Sequence, residues 1–157
     1  MKYFIWDLDN CLADDQWRFP AIDWHLEGDA RWARYNKLAL NDMPHHRAEF
    51  ALTAKIGQNV IFTNRADTSA DLTRAWMLQH YDFKGLMMMR KPGIRLAPEL
   101  VKEQMLTQMF SITKSEVVCA FDDHEPILQM YRSHGVHAVQ LRIHSVDVYG
   151  DRPKNLL

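Results

Sequence analysis

Two pairs of aspartates stand directly after short apolar runs that are typical of buried strands: Asp7 with Asp9, and Asp122 with Asp123. The carboxyl ends of parallel strands meet at one edge of a sheet, where such sheets carry their active sites. Four carboxylates at one edge would repel one another and raise one another's pKa values. The usual remedy is a hard divalent cation with oxygen ligands, most often Mg²⁺. The sequence therefore predicts a magnesium site formed by these four residues.

A third apolar run, residues 60–62, ends in Thr63, Asn64 and Arg65, whose side chains suit a phosphate group. Thr63 and Arg65 offer a neutral and a charged donor to phosphoryl oxygens, and Mg²⁺ bound by few carboxylates keeps coordination positions open for the same oxygens. The sequence has no Gly-rich loop of the kind that cradles nucleotide phosphates. These residues predict phosphoryl chemistry in which the phosphate is held by side chains and metal.

A carboxylate can itself attack phosphorus, and the aspartyl phosphate that results divides one difficult displacement into two easier steps. We expect Asp7 to be this nucleophile. A carboxylate two residues further on can protonate the leaving alcohol and then activate water, and we expect this of Asp9. The predicted activity is Mg²⁺-dependent hydrolysis of a phosphomonoester.

The elements that must position these residues alternate along the chain. Five strand-like runs cover residues 3–6, 60–62, 86–89, 117–121 and 136–141. Stretches with helical spacing lie between most of these runs. This alternation predicts an α/β protein with a mainly parallel five-stranded sheet and helices on both faces, a three-layer Rossmann-like fold. Residues typical of helix boundaries predict that helices end at Gly57 and Gly135 and that another helix begins at Asp42, which Pro44 follows.

The segment from about residue 13 to residue 40 interrupts this alternation and is predicted to be a small cap insertion after the first strand. It contains many aromatic residues, and one short helix is expected in it, with Asp29 as its cap and Trp32, Tyr35 and Leu38 on one face. The rings either pack the insertion onto the sheet or form a lid that contacts the substrate.

Length and composition limit the class of protein. A chain of 157 residues with 47% hydrophobic types is expected to form one domain, residues 1–157, with a frayed tail at 150–157. The net charge of −1 excludes a protein held on nucleic acid by bulk positive charge. No apolar run reaches the roughly 18 residues that cross a bilayer, and no secretory signal is present. We therefore expect a cytoplasmic protein without a membrane partner, with Cys11 and Cys119 reduced.

The motifs resemble, in order, those of the haloacid dehalogenase (HAD) superfamily of phosphohydrolases: the Asp7-Leu8-Asp9 loop, the strand that ends in Thr63, a basic residue on a following helix, and the Asp122-Asp123 pair. The resemblance covers essentially the whole chain. It implies the HAD fold, with a small insertion in place of a large cap domain.

A closer resemblance is to the 3'-phosphatase domain of phage-type polynucleotide kinase/phosphatases, and it rests on residues 63–65, 73–76, 89–95, 99–102 and 122–132. It implies hydrolysis of 3'-phosphates at nucleic-acid ends and leaves open a separate kinase partner. By this resemblance Lys102 is the lysine that neutralises the phosphate and Asp7, with Lys91 and Lys114 as competitors.

Binding of substrate phosphates is expected of four arginines and of Asn64; the arginines are Arg18, Arg65, Arg90 and Arg95. Asn10 and Asn64 stand where the family usually has glycine, and asparagine tolerates a positive φ well enough to replace it. His124 stands where arginine often follows the acidic pair. These departures leave two alternatives: a 5'-nucleotidase or phosphatase that acts on free (deoxy)nucleotides, and a catalytically silent HAD-fold binding module.

Overall fold

The computed structural model describes residues 1–113 and 116–145. Its strands are β1 (Lys2–Trp6), β2 (Ala13–Asp14), β3 (Met43–Pro44), β4 (Gln58–Ala66), β5 (Met87–Arg90), β6 (Glu116–Asp122) and β7 (Ala138–Gln140). Its α-helices are α1 (Gly28–Lys37), α2 (Arg47–Ala54), α3 (Ala70–Tyr81), α4 (Pro98–Thr113) and α5 (Glu125–Ser133). Short 3₁₀ turns cover Gln16–Ala21, Ala39–Asn41 and Asp67–Ser69.

The main sheet is parallel and has the strand order β5-β4-β1-β6-β7. Each of the five predicted strand-like runs contributes a strand to this sheet. The central strands are continuous apolar runs because both of their faces are covered, as is usual for parallel sheets. The predicted five-stranded, mainly parallel α/β architecture is confirmed.

Two apolar cores lie on opposite faces of the sheet. Ile5 of β1 packs with the buried residues of α4 and α5. Its neighbours Phe4 and Trp6 face the other core, together with Phe50 of α2 and Trp76 of α3. Since alternate residues of a strand point to opposite faces, this pattern places one pair of helices on each side and gives the predicted three layers.

The cap insertion is closed at its base by a two-stranded antiparallel ribbon, in which β2 pairs with β3. The insertion therefore extends to Pro44, beyond the expected boundary at residue 40. Asp42 does not begin a helix; the chain enters β3 there, and α2 begins only at Arg47. Pairing with β2 supplies backbone partners that the local Asp-Pro pattern does not reveal.

The insertion has a small core of its own, formed by Ala21, Ile22 and Tyr35 with partly buried rings packed against it. The predicted short helix is α1, and Tyr35 is on its buried face as expected. Asp29 is not its cap: Glu27 occupies the N-cap position, and Asp29 lies in the first turn.

Of the two predicted helix ends, the one at Gly135 agrees with α5, which ends at Ser133, whereas α2 ends at Ala54, three residues before Gly57. The backbone after α5 reaches Gly135 with φ of +74°, a conformation that glycine adopts without a Cβ clash. No helix within the described ranges is long and apolar enough to cross a membrane. The expected tail at residues 150–157 lies outside the described residues.

Candidate active site

Three of the predicted carboxylates meet at the C-terminal edge of the sheet. Asp7 follows β1, and its backbone N–H donates to the Phe121 carbonyl of β6 at 2.9 Å. Asp122 ends β6, and Asp123 follows it. One carboxylate oxygen from each of Asp7, Asp122 and Asp123 lies within 4.8 Å of the others. The neighbouring positions of β1 and β6 in the sheet bring together residues more than a hundred positions apart in the chain.

The side chain of Lys102, in α4, contacts this cluster of carboxylates. Its side chain is only 1% exposed, and its ammonium donates to Asp7 Oδ1 and, at 2.6 Å, to Asp122 Oδ2. Lys91 instead pairs with Asp67 on the surface at 3.0 Å, and Lys114 lies outside the described residues. Lys102 is therefore the described lysine that neutralises the carboxylates.

One ammonium does not balance three carboxylates. Burial, together with the negative charge of Asp122, raises the pKa of Asp7 to about 7 even though Lys102 acts to lower it. Burial and the charges of Asp7 and Asp122 raise the pKa of Asp123 to about 9. These raised pKa values indicate that the site holds more negative charge than Lys102 neutralises. Carboxylate oxygens with excess negative charge are the ligands that a hard divalent cation prefers. Asp7, Asp122 and Asp123 therefore fit Mg²⁺.

Asp9 does not join the predicted metal cluster. Its Oδ1 accepts from Arg18 Nη2 and Arg65 Nη2, each at 2.5 Å, and its Oδ2 accepts from Arg65 Nε at 2.9 Å. Both carboxylate oxygens are thus engaged by guanidinium groups. Burial acts to raise the pKa of Asp9, but Arg65 and Arg18 outweigh it and hold the pKa well below its usual range. Asp9 is therefore an ionised carboxylate, stabilised in that form by the two guanidinium groups.

Arg18 lies in the interior and not on the substrate side, contrary to expectation. Its side chain is fully buried, and it joins Asp9 to Asp42, whose oxygens accept from Arg18 Nε at 2.8 Å and Nη2 at 2.7 Å. It also stacks over the Tyr35 ring at 3.8 Å. Its observed contacts position Asp9. Asp42, the buried counter-ion in this arrangement, was missed because nothing in its local sequence distinguishes it from a turn aspartate.

The pocket above the carboxylates is built by both the sheet edge and the cap. Its lining residues are Asp7, Asp9, Asn10, Asp15, Phe19, Trp32, Tyr35, Asn36, Thr63, Asn64, Arg65, Arg90, Lys102, Asp122, Asp123, His124 and Ile127. Of the predicted phosphate-binding residues, Asn64, Arg65 and Arg90 are in this group. Arg95 is not; its exposed side chain pairs with Glu27 at 3.2 Å.

Some aromatic residues of the cap both pack in its small core and line the pocket. Tyr35 belongs to the small core of the cap and also lines the pocket, as do the partly buried Phe19 and Trp32. Trp17 and Trp24 do not line the pocket. The aromatic content of the segment was the signal for a lid, but helical spacing alone did not separate the rings that face the pocket from the others.

An ion pair ties the cap to the core at the mouth of the pocket. Arg90, at the end of β5, donates to Asp29 Oδ1 at 2.5 Å, and the Gly93 N–H donates to Asp29 Oδ2 at 2.8 Å. Burial acts to raise the pKa of Asp29, but these donors outweigh it and lower the pKa. The carboxylate that was expected to cap a helix thus connects α1 to the loop after β5.

The two asparagines that replace glycine have different conformations. Asn10 has a φ of +57°, as predicted, and its side chain donates to Asp123 Oδ2 at 2.8 Å. Asn64 does not adopt a positive φ, because it lies within β4. Asn10 therefore adopts the conformation that glycine usually provides and adds a contact to the carboxylate cluster. The backbone at Asn64 does not need a glycine.

The strand order and the aspartates at the ends of β1 and β6 define a phosphatase of the HAD fold. More particularly, the chain belongs to the family described as the polynucleotide kinase PNKP phosphatase domain, whose model matches residues 1–144. A search of curated proteins finds no match to the chain.

Solved structures have the same fold. A chain from a structure of the Pnkp1/Rnl/Hen1 RNA repair complex matches 92% of this chain with 17% identity and a TM-score of 0.69. A chain from another structure of the Pnkp1/Rnl/Hen1 complex matches 92% with 16% identity and a TM-score of 0.67. This protein covers 43% and 46% of those two chains, so it corresponds to less than half of their length.

Proposed function

We propose that this protein is a Mg²⁺-dependent phosphatase that removes the 3'-phosphate from nucleic-acid ends through an aspartyl phosphate on Asp7. The observation that carries this proposal is the position of Asp7 on the floor of the pocket, against Lys102 and beside two further carboxylates. Family membership supports the phosphatase reaction and the link to polynucleotide ends.

The first step is attack by one carboxylate oxygen of Asp7 on phosphorus. Oδ1 accepts from Lys102, while no donor among the described residues binds Oδ2, so Oδ2 is the atom that attacks. The Oδ2–P bond forms, the P–O bond to the sugar breaks, and the leaving oxygen takes a proton. Mg²⁺ held by Asp7, Asp122 and Asp123 would supply positive charge to the phosphoryl oxygens.

Arg65 links phosphate binding to the protonation state of Asp9. It lines the pocket while holding both oxygens of Asp9. When its guanidinium turns towards a phosphate, it weakens its hold on Asp9, and the pKa of that carboxyl rises towards its usual range. Asp9 then takes the proton that the phosphate monoanion brings, since the second pKa of a phosphomonoester is about 6, and passes it to the leaving oxygen. The ionised Asp9 afterwards takes a proton from the water that hydrolyses the aspartyl phosphate. Thr63 and Arg90 supply further donors to the phosphate.

Action at a nucleic-acid end is consistent with the small cap, which leaves one side of the pocket open for the rest of the strand. One of the solved structures with the same fold is of an RNA repair complex. A separate kinase as partner stays a prediction of the resemblance.

The test is phosphate release from a panel of 3'-phosphorylated oligonucleotides, their 5'-phosphorylated isomers and free 5'-nucleotides, with Mg²⁺ or with EDTA. We expect the 3'-phosphorylated ends to have the highest kcat/KM and EDTA to abolish release. An acid quench with radiolabelled substrate should trap label on the wild type and not on Asp7→Asn, with the exposed Asp71→Asn as the matched control. Better hydrolysis of free 5'-nucleotides would favour the nucleotidase, and no hydrolysis of any substrate would favour the silent binding module.

A further inference from the structure

Arg90 lines the substrate pocket and is held there by several hydrogen bonds. Its Nε donates to the Asn64 carbonyl at 3.1 Å, and its Nη1 donates to the carbonyls of Lys91 at 3.3 Å and Ile94 at 3.1 Å. These acceptors belong to the backbone of β4 and of the loop after β5. Its Nη2 donates instead to a carboxylate, Oδ1 of Asp29, at 2.5 Å. Within the described ranges, Asp29 is therefore the charged partner of this arginine.

Asp29 comes from the cap, since it lies in the first turn of α1. Its Oδ2 accepts from the Gly93 N–H at 2.8 Å, so one carboxylate holds both the guanidinium and the loop after β5. The side chain of Arg90 is 13% exposed and that of Asp29 is 34% exposed. Water and salt screen a partly buried pair of this kind less than a pair on the open surface. The cap therefore supplies part of the frame that fixes Arg90.

The hydrogen bonds of Arg90 leave one donor for a ligand. A guanidinium carries five N–H groups in a rigid plane, and the four acceptors named above take four of them. The second N–H of Nη2 has no acceptor within the described part of the chain. Because the plane is rigid, the bond from Nη2 to Asp29 also fixes the direction of this second N–H. A donor that is already fixed loses less conformational freedom when it binds a phosphoryl oxygen.

We propose that Asp29 is a positioning residue, which holds Arg90 so that its remaining N–H binds a phosphoryl oxygen of the substrate. The cap thereby takes part in phosphate binding. This inference rests on the proposed function. The phosphate uses an N–H that Asp29 leaves free, so the ion pair persists in the complex. Since Arg90 meets the phosphoryl group in the bound substrate as well as in the transition state, loss of Asp29 weakens binding more than it slows the chemical step.

The experiment compares the wild type with Asp29→Ala on a 3'-phosphorylated oligonucleotide, with inorganic phosphate as competitive inhibitor. Inorganic phosphate carries no nucleic-acid strand, so its Ki reports phosphate binding alone. Asp29→Ala should raise KM and this Ki by the same factor, about 5- to 10-fold, which is within the range of coupling between residues in contact. The value of kcat should change little.

Glu27→Ala is the matched control. Glu27 occupies the N-cap position of α1 and pairs with Arg95 at 3.2 Å, where the two side chains are 78% and 70% exposed. This variant also removes an acidic residue from the start of α1 and a contact between the cap and the loop after β5, but Glu27 makes no ion pair with Arg90. It should therefore keep the wild-type KM and Ki.

A double variant shows whether Asp29 acts through Arg90. In an Arg90→Ala background, Asp29→Ala should cause no further change in phosphate binding, which calorimetric titration with phosphate measures even where turnover is too slow to follow. An unchanged or lower Ki in Asp29→Ala would overturn this inference while the proposed function stands. An equal effect of Glu27→Ala, or a full further loss in the double variant, would do the same. A wild type that hydrolyses no 3'-phosphorylated end would overturn the proposed function itself.

Discussion

Replacing Lys102 with methionine tests the electrostatic design of the site. Methionine keeps most of the volume of the side chain and removes the charge that Asp7 and Asp122 share. Taking one partner from a buried ion pair typically costs about 3 to 5 kcal/mol, because an uncompensated charge remains in the interior. We therefore expect Lys102→Met to lose about this much unfolding free energy in EDTA.

Lys91→Met is the matched control, since Lys91 is 79% exposed where it pairs with Asp67, and exposed pairs contribute about 1 kcal/mol or less. Urea unfolding followed by tryptophan fluorescence measures both variants. Mg²⁺ should restore part of the loss in Lys102→Met, because the ion brings positive charge to the same carboxylates.

Activity gives a second readout of Lys102→Met. Lys102 lowers the pKa of Asp7, so without it Asp7 is more often protonated at neutral pH and cannot attack phosphorus. Phosphate release should fall by at least 100-fold, about 2.7 kcal/mol of barrier, while Lys91→Met stays near the wild-type rate. The reasoning is refuted if Lys102→Met is as stable as the wild type in EDTA, or if the two variants lose activity equally.

Asp7→Asn should keep its circular dichroism spectrum but fall below a few per cent of the wild-type rate, because an amide cannot attack phosphorus; a higher rate would exclude Asp7 as nucleophile. Asp122→Ala should raise the Mg²⁺ concentration needed for half-maximal rate more than substitution of an exposed histidine does; activity that survives exhaustive chelation would contradict the metal site. Burial raises the pKa of Asp15 to about 7, so the folded state binds more protons than the unfolded state, and this group's contribution to stability falls as pH rises from about 4 to 7. In urea unfolding, the free energy of unfolding of Asp15→Asn relative to the wild type should increase as pH rises through this window, by up to about 4 kcal/mol. A difference between the two proteins that does not change with pH would contradict the raised pKa. Trp32→Ala should raise KM for oligonucleotides because it removes base stacking at the pocket mouth, which typically contributes about 1 to 3 kcal/mol. Trp17→Ala is the control. Equal KM values for the two variants would show that Trp32 serves only in packing.

The central strands were predictable because each contains a short apolar run that helices cover on both faces, a pattern that neighbouring residues alone reveal. Asp7 and Asp122 were predictable as site residues for the same reason, since a residue just past a buried parallel strand has only one edge of the sheet to occupy. Lys102 came from a spacing that resembles a family motif, and its contacts with both aspartates agree with that assignment.

The partners of the charged residues were not predictable in this way. Asp9 has the same local setting as Asp7, yet it binds Arg65, 56 positions away, instead of joining the carboxylate cluster. Arg18 was expected to bind substrate phosphates, but Asp42, 24 positions away, neutralises it in the interior. In each case a buried charge is stable only beside its counter-ion, and the counter-ion is supplied by another element.

The sequence by itself determined the order of strands and helices, the edge at which the aspartates emerge and the phosphoryl chemistry that they imply, because these depend on local burial and on residue type. Only the tertiary structure decided which carboxylates come together and which arginines line the pocket. Charge pairing and desolvation act through space, so they depend on distances that folding alone creates.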